Sequence, residues 1–220
     1  MAAAREAFGE KGYDDTSVAE IARRVGIVEG AVYRHFPSKR DLLHQVIRSF
    51  YEPLVESATR GAAAIESPDD RLRFLIRRGL QALTDDRLVC RLIISEARTL
   101  DDYYESDIAD LSRRYTSLAV ETVREGVDAG WYRPDTNPQM VRDLIYGGIE
   151  HLAWGTITGR GEFDLESMVR QLADLVLGGI TNRPPAPSNP ADTTSRLEVV
   201  ADRLEKLLPT SSNQPTPEQP

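Results

Sequence analysis

Three sets of residues in this chain carry groups capable of chemistry, and spacing separates them. The single cysteine, Cys90, sits in the apolar run Leu88-Val-Cys-Arg-Leu-Ile-Ile94, where burial favours an inert thiol over a reactive thiolate. The acidic residues Asp101, Asp102, Glu105 and Asp107 could suggest a cation site, but they read as the solvated start of a helix. The third set is Gly12–Lys39, GYDDTSVAEIARRVGIVEGAVYRHFPSK, which places hydroxyls, a phenol, an imidazole and cations around one glycine. Such donors suit phosphate oxygens and base edges when a helix-turn-helix holds them. The chain has no glycine-rich phosphate loop, no metal-binding Cys/His spacing and no G-x-S-x-G elbow, so neither catalysis nor a cofactor or metal is expected.

The elements that must position the third set can be read from its punctuation. Ser17 with Glu20 forms a capping box at the start of a helix that carries Val18, Ile21, Ala22 and Val25 inward. Gly26 breaks that helix, and a second short one follows from about Val28 with Ala31, Val32 and Tyr33. Phe36-Pro37 ends it, Phe36 being read as a core aromatic, and Ser38 with Asp41 caps the next. Net charge is −8, yet residues 1–51 hold eight Lys/Arg against seven Asp/Glu, so the head is +1 and the rest −9. A small head can meet phosphates while an acidic body stays clear of the duplex.

The head closely resembles the TetR-type regulator family. The resemblance rests on Ala3, Ala4, Phe8, Gly12, Tyr13, Thr16, Ser17, Val18, Ile21, Ala22, Gly26, Ile27, Gly30, Val32, Tyr33, His35, Phe36, Ser38, Lys39 and Leu42. It implies DNA contacts by Thr16 and Ser17 to one phosphate, and by Tyr33, His35 and Lys39 to the backbone. Glu29, Gly30, Ala31 and Arg34 are expected to face the major groove, Ala31 suiting a thymine methyl and Arg34 a guanine. Two departures stand out. Val28 occupies the N-cap of the recognition helix where the family has Ser or Thr, which costs about 1 kcal/mol and a phosphate donor. The family pattern also extends ahead of Ala3, so either the start was placed too late or the first helix is short. The resemblance implies a ligand-responsive repressor that binds a pseudo-palindromic double-stranded DNA operator as a homodimer and leaves it for a small-molecule effector. The alternative is a ligand-binding dimer whose head has weakened or lost DNA binding.

Behind the head the apolar period is helical throughout, so the fold class is all-α: a three-helix DNA-binding head, residues 1–50, and a helical ligand-binding and dimerisation body, 51–182. Stripes at Leu42–Leu54, Leu72–Leu83, Ile108–Thr122, Val141–Leu152 and Leu165–Val176 mark the long helices. Ser67-Pro68 and Asn137-Pro138 mark two starts, and Gly178-Gly179 is expected to close the last. Pro53 is expected to kink the helix joining head to body, 38–57. The resemblance puts the dimer interface on the last two long helices, with Leu144, Gly148, Leu152, Leu165, Leu172, Leu175 and Val176 as its members. His151 and Trp154 are read as interface packing. Helices within 68–130 would enclose the ligand, with polar contacts from Arg91, Arg98, Tyr104 and Tyr115, and also from Arg77 and Tyr103. Residues 183–220 contain eight of the thirteen prolines and read as largely disordered, with a short segment at 195–208 that is a docking helix or a nascent one. No apolar run is long enough to span a membrane, and the N-terminus lacks a signal peptide's apolar core, which together place the protein in the cytoplasm.

Overall fold

The computed structural model describes residues 1–182 apart from 96, 98–102, 159 and 161–163. Arg98, Asp101, Asp102 and the whole segment 183–220, with 195–208 inside it, lie outside the described residues. Three short helices open the chain, α1 (Ala2–Lys11), α2 (Val18–Arg24) and α3 (Glu29–Tyr33). The long α4 (Lys39–Ala63) leads into α5 (Pro68–Asp85), α6 (Arg87–Ser95), α7 (Asp107–Asp128), α8 (Pro138–Ile157) and α9 (Leu165–Ile180). A 3-10 turn, Tyr103–Glu105, precedes α7, and the described residues contain no β-strand.

Side chains fix most of these starts. Ser17, Ser38, Ser67 and Asn137 each accept a hydrogen bond from the backbone N–H two or three residues on, satisfying donors that a helix cannot pair itself. Gly26, at φ 73°, turns the chain between α2 and α3, a conformation open to glycine at little cost. In the body, α4 packs on α7, α7 on α8, and α5 on both α8 and α9. Leu72, Leu75, Ile76, Leu80, Ile108 and Ile145 are fully buried between them.

Three expectations are corrected here. Helix α4 continues through Pro53 for ten more residues. The proline only withholds one N–H from the Ser49 carbonyl, and Leu54, Val55 and Ala58 beyond it are buried, so packing outweighs the lost bond. Helix α9 runs past Gly178-Gly179 to Ile180. Its end is held instead by the loop after α7, where Arg133 N–H donates to the Ile180 carbonyl at 2.8 Å and Asn182 N–H to Trp131 at 3.0 Å. That loop is anchored by the buried Tyr132, whose ring lies against Gly126 so closely that a Cβ there would fall 2.3 Å from it. Finally, Val25 caps the end of α2 and faces solvent, not the core.

Candidate DNA-binding head and effector cavity

In the head, α2 packs on α1 and α3 packs on α2. Phe8 is fully buried, and Val18, Ile21, Ala22 and Val32 are buried in the same core. Charge pairs clamp the outside: Lys11 to Glu20 at 2.8 Å, and Arg24 to Glu10 at 2.7 Å and to Glu20 at 3.0 Å. The Lys11 ammonium and then the Arg24 guanidinium hold the Glu20 carboxyl below its ordinary range. Arg5 pairs with Asp86, and Arg48 with Asp107. These four cations are therefore committed within the protein, whereas Arg23 and Arg34 are exposed with no ion pair among the described residues.

The predicted DNA contacts divide on this geometry. Glu29, Gly30, Tyr33, Arg34 and His35 are exposed along and just after α3, and Ala31 is half-buried. A Cβ added to Gly30 would meet nothing, so backbone can approach there. Val28, at 73% exposure, is the N-cap of α3 and supplies no side-chain cap. Lys39 donates to the Asp14 carbonyl at 3.0 Å with its ammonium 4.4 Å from the centre of the Tyr13 ring. That fixes the lysine while leaving ammonium protons for a phosphate.

Thr16 is the exception. It is 2% exposed, and its hydroxyl lies 3.1 Å from the Ala7 carbonyl and 2.7 Å from that of Gly12. The side chain points inward because it ties the end of α1 to the start of α2. Ser17 next to it stays exposed, accepting from Glu20 N–H at 3.1 Å. Thr16→Val is expected to lower stability by about 1–2 kcal/mol through unsatisfied carbonyls and to leave the salt dependence of DNA binding unchanged. A shallower salt slope with unchanged stability would restore it as a phosphate contact.

Between α4, α5, α6, α7 and α8 the body has a partly open cavity of about 90 Å³. Its wall is mostly apolar, with Leu54, Leu83, Ile93 and Ile149, and it includes Tyr115, Tyr146 and Cys90. Burial pushes the Cys90 thiol up to about 12, consistent with an inert packing role. A shallower cleft shares Ser112, Thr116, Tyr146 and Glu150 with this cavity and adds Tyr103, Tyr104, Arg113 and Arg142. Of the predicted ligand contacts, Tyr115 lines the cavity, and Tyr103 and Tyr104 line the cleft. Arg77 and Arg91 do neither. Arg77 forms a two-point pair with Glu166 on the surface. The Arg91 guanidinium donates to the Gly9 carbonyl of α1. Tyr146 was missed because α8 reads as an interface helix. Its sequence signal was Gly79, a glycine in the middle of the α5 stripe, which marks a close approach.

On the outside of α8 and α9 lies an apolar face. Leu144 is 62% and Leu175 77% exposed, with Met140, Leu152, His151 and Trp154 also exposed. Leu165, Leu172 and Val176 lie half-buried against the body's own core, Leu172 Cδ1 at 3.6 Å from where a Gly148 Cβ would stand.

Comparison with known proteins matches residues 1–46 to the model of bacterial regulatory proteins of the tetR family, and residues 66–180 to the tetracyclin repressor-like C-terminal domain. The chain belongs to the TetR family. Members are ligand-responsive, DNA-binding transcription regulators, and this chain has both halves. Among its relatives is the HTH-type transcriptional repressor KstR2 of Mycolicibacterium smegmatis, 28% identical over 79% of this chain and 85% of that protein. The FadR regulator of Bacillus subtilis, solved in complex with stearoyl-CoA, superposes with a TM-score of 0.74 at 20% identity, covering 81% of this chain and 96% of that one. The ketosteroid regulator KstR2 of Mycobacterium tuberculosis does so at 0.65 and 25% identity, covering 83% and 93%. Among the described residues no helix is long and apolar enough to cross a membrane, and no three His, Cys, Asp or Glu cluster as a metal site would need.

Proposed function

We propose that this protein is a homodimeric repressor that occupies a pseudo-palindromic operator and leaves it when a small molecule enters the body cavity. The observation that carries the reading is the double role of α6. Cys90, Ile93 and Ile94 of this helix line the cavity, while its Leu88 and Arg91 grip Gly9 of α1. A group that widens the cavity must push the same helix that holds the head. At about 90 Å³ the cavity is smaller than the roughly 300–1,000 Å³ of small-molecule sites. Entry of an effector therefore requires α5, α6, α7 and α8 to part, and binding favours the parted state by its difference in affinity for the two. The mostly apolar wall suits a ligand with a hydrocarbon body, in keeping with the stearoyl-CoA held by the Bacillus subtilis relative.

In this reading residues 1–50 form the head and 51–182 the effector-binding and dimerising body. Two heads, joined through the exposed face of α8 and α9, stand about 34–36 Å apart to reach successive major grooves. Glu29, Gly30, Ala31 and Arg34 address base edges, and Ser17, Tyr33, His35 and Lys39 the phosphates. The DNA flanking the protein's own gene is the first target for a gel shift. Lys39→Ala should weaken binding to all sequences alike and make the slope of log affinity against log salt shallower by about 1. A loss confined to one base position would make Lys39 a base reader. The uncapped start of α3 at Val28 favours a second reading, a dimeric effector-binding protein with a weak head. A specific shift with the flanking DNA at nanomolar protein rules that out.

A further inference from the structure

Two tyrosine hydroxyls in the cavity wall have nothing to bond to. Tyr115 Oη on α7 and Tyr146 Oη on α8 are both buried, and neither has a hydrogen-bond partner. Their rings pack edge to face with centroids 5.5 Å apart, so each fixes the other. A buried donor left dry is costly, and native structures leave few of them. Two side by side in one cavity wall mark a place where a partner arrives.

Their neighbours on the wall point the same way. A Cβ on Gly79 would fall 2.8 Å from Ile149 Cδ1, 3.7 Å from Tyr115 Oη and 3.8 Å from Tyr146 Cε1, so the bare glycine lets Ile149 and both tyrosines pack close to α5 at this wall. Cys90 Sγ is 3.6 Å from the Ala82 carbonyl, and the Thr116 hydroxyl is 3.0 Å from that of Ser112. These groups answer backbone acceptors on their own or neighbouring elements, and the two phenols do not.

We infer that the effector carries a hydrogen-bond-accepting oxygen, as in a ketone or other carbonyl, within an otherwise hydrocarbon body, and that Tyr115 and Tyr146 are the donors that recognise it. This rests on the cavity being the effector site. Burial raises both phenols well above their ordinary range, so each keeps its proton and acts as a donor. A carbonyl oxygen has two lone pairs and can accept from both. An unbranched alkyl chain in the same space would leave both hydroxyls dry, so the site selects against it.

The test uses 1-indanone and indane, one carbon skeleton with and without a carbonyl oxygen, in thermal-shift titrations of the full chain. The ketone is expected to bind at least about tenfold more tightly, the worth of one or two hydrogen bonds. Tyr115→Phe and Tyr146→Phe should each reduce that preference, and together bring it to about one. Neither substitution should lower the melting temperature, because the deleted hydroxyls have no partner in the free protein. Equal binding of the two compounds to the unmodified chain overturns the inference and leaves the cavity as the effector site. Binding of neither overturns both. A clear fall in melting temperature for the Phe variants means the hydroxyls are already satisfied and overturns the inference alone.

Discussion

Leu144→Glu combined with Leu175→Glu is expected to yield a folded monomer that no longer holds its operator. Both side chains are largely exposed in the single chain, so charge there costs the protomer little, while two copies facing one another would bury unpaired carboxylates. Helix content should be unchanged and sedimentation should report one subunit. Operator affinity should fall by about 10²–10⁴, because the second head is no longer delivered at the high effective concentration that linkage supplies. A dimer that persists in the double variant would move the interface away from α8 and α9. Leu172 is the wrong residue for this test, since its half-buried side chain packs against the body's own core and charge there unfolds the protomer first.

That difference between Leu172 and Leu175 shows where sequence reading succeeds and where it stops. Local signals were legible. Ser17, Ser38, Ser67 and Asn137 announce helix starts through bonds that close within three residues, and apolar period gives the helices themselves. The head's helices and its Gly26 turn were also legible, apart from the directions of Thr16 and Val25. A helix lying between a core and an exposed apolar face, however, carries apolar residues on both sides, so periodicity alone does not say which side Leu172, Leu175 or Tyr146 joins. Long-range partners were hidden for a different reason. Arg77 finds Glu166 89 positions away, and Arg91 finds Gly9 82 positions away. An arginine in an amphipathic stretch looks the same whether it lines a ligand site, closes a surface pair or holds another element.

Arg91 matters most among these, because in the proposed mechanism its bond to Gly9 makes α6, and not Pro53, the link between cavity and head. A Cβ on Gly9 would lie 2.8 Å from Leu88 Cβ, so the Leu88 side chain of α6 packs directly on the Gly9 backbone of α1, flanked by Arg91 on the Gly9 carbonyl and Arg5 on Asp86 at 2.9 Å. Leu88→Ala with Arg91→Ala removes that grip without touching Cys90, Ile93 or Ile94 on the cavity side. The head would then be held to the body mainly by α4. A nitroxide on Arg23→Cys reports the separation of the two heads, and the native Cys90 thiol, buried and raised to about 12, stays unlabelled. The distance distribution should broaden in the double variant. Operator affinity should fall about tenfold if one dimer in ten then holds the DNA-competent spacing. Effector response should shrink with it, since a cavity that no longer moves α1 has no differential effect on the two head positions. An unchanged distribution would return the coupling to α4 and leave α6 as packing only.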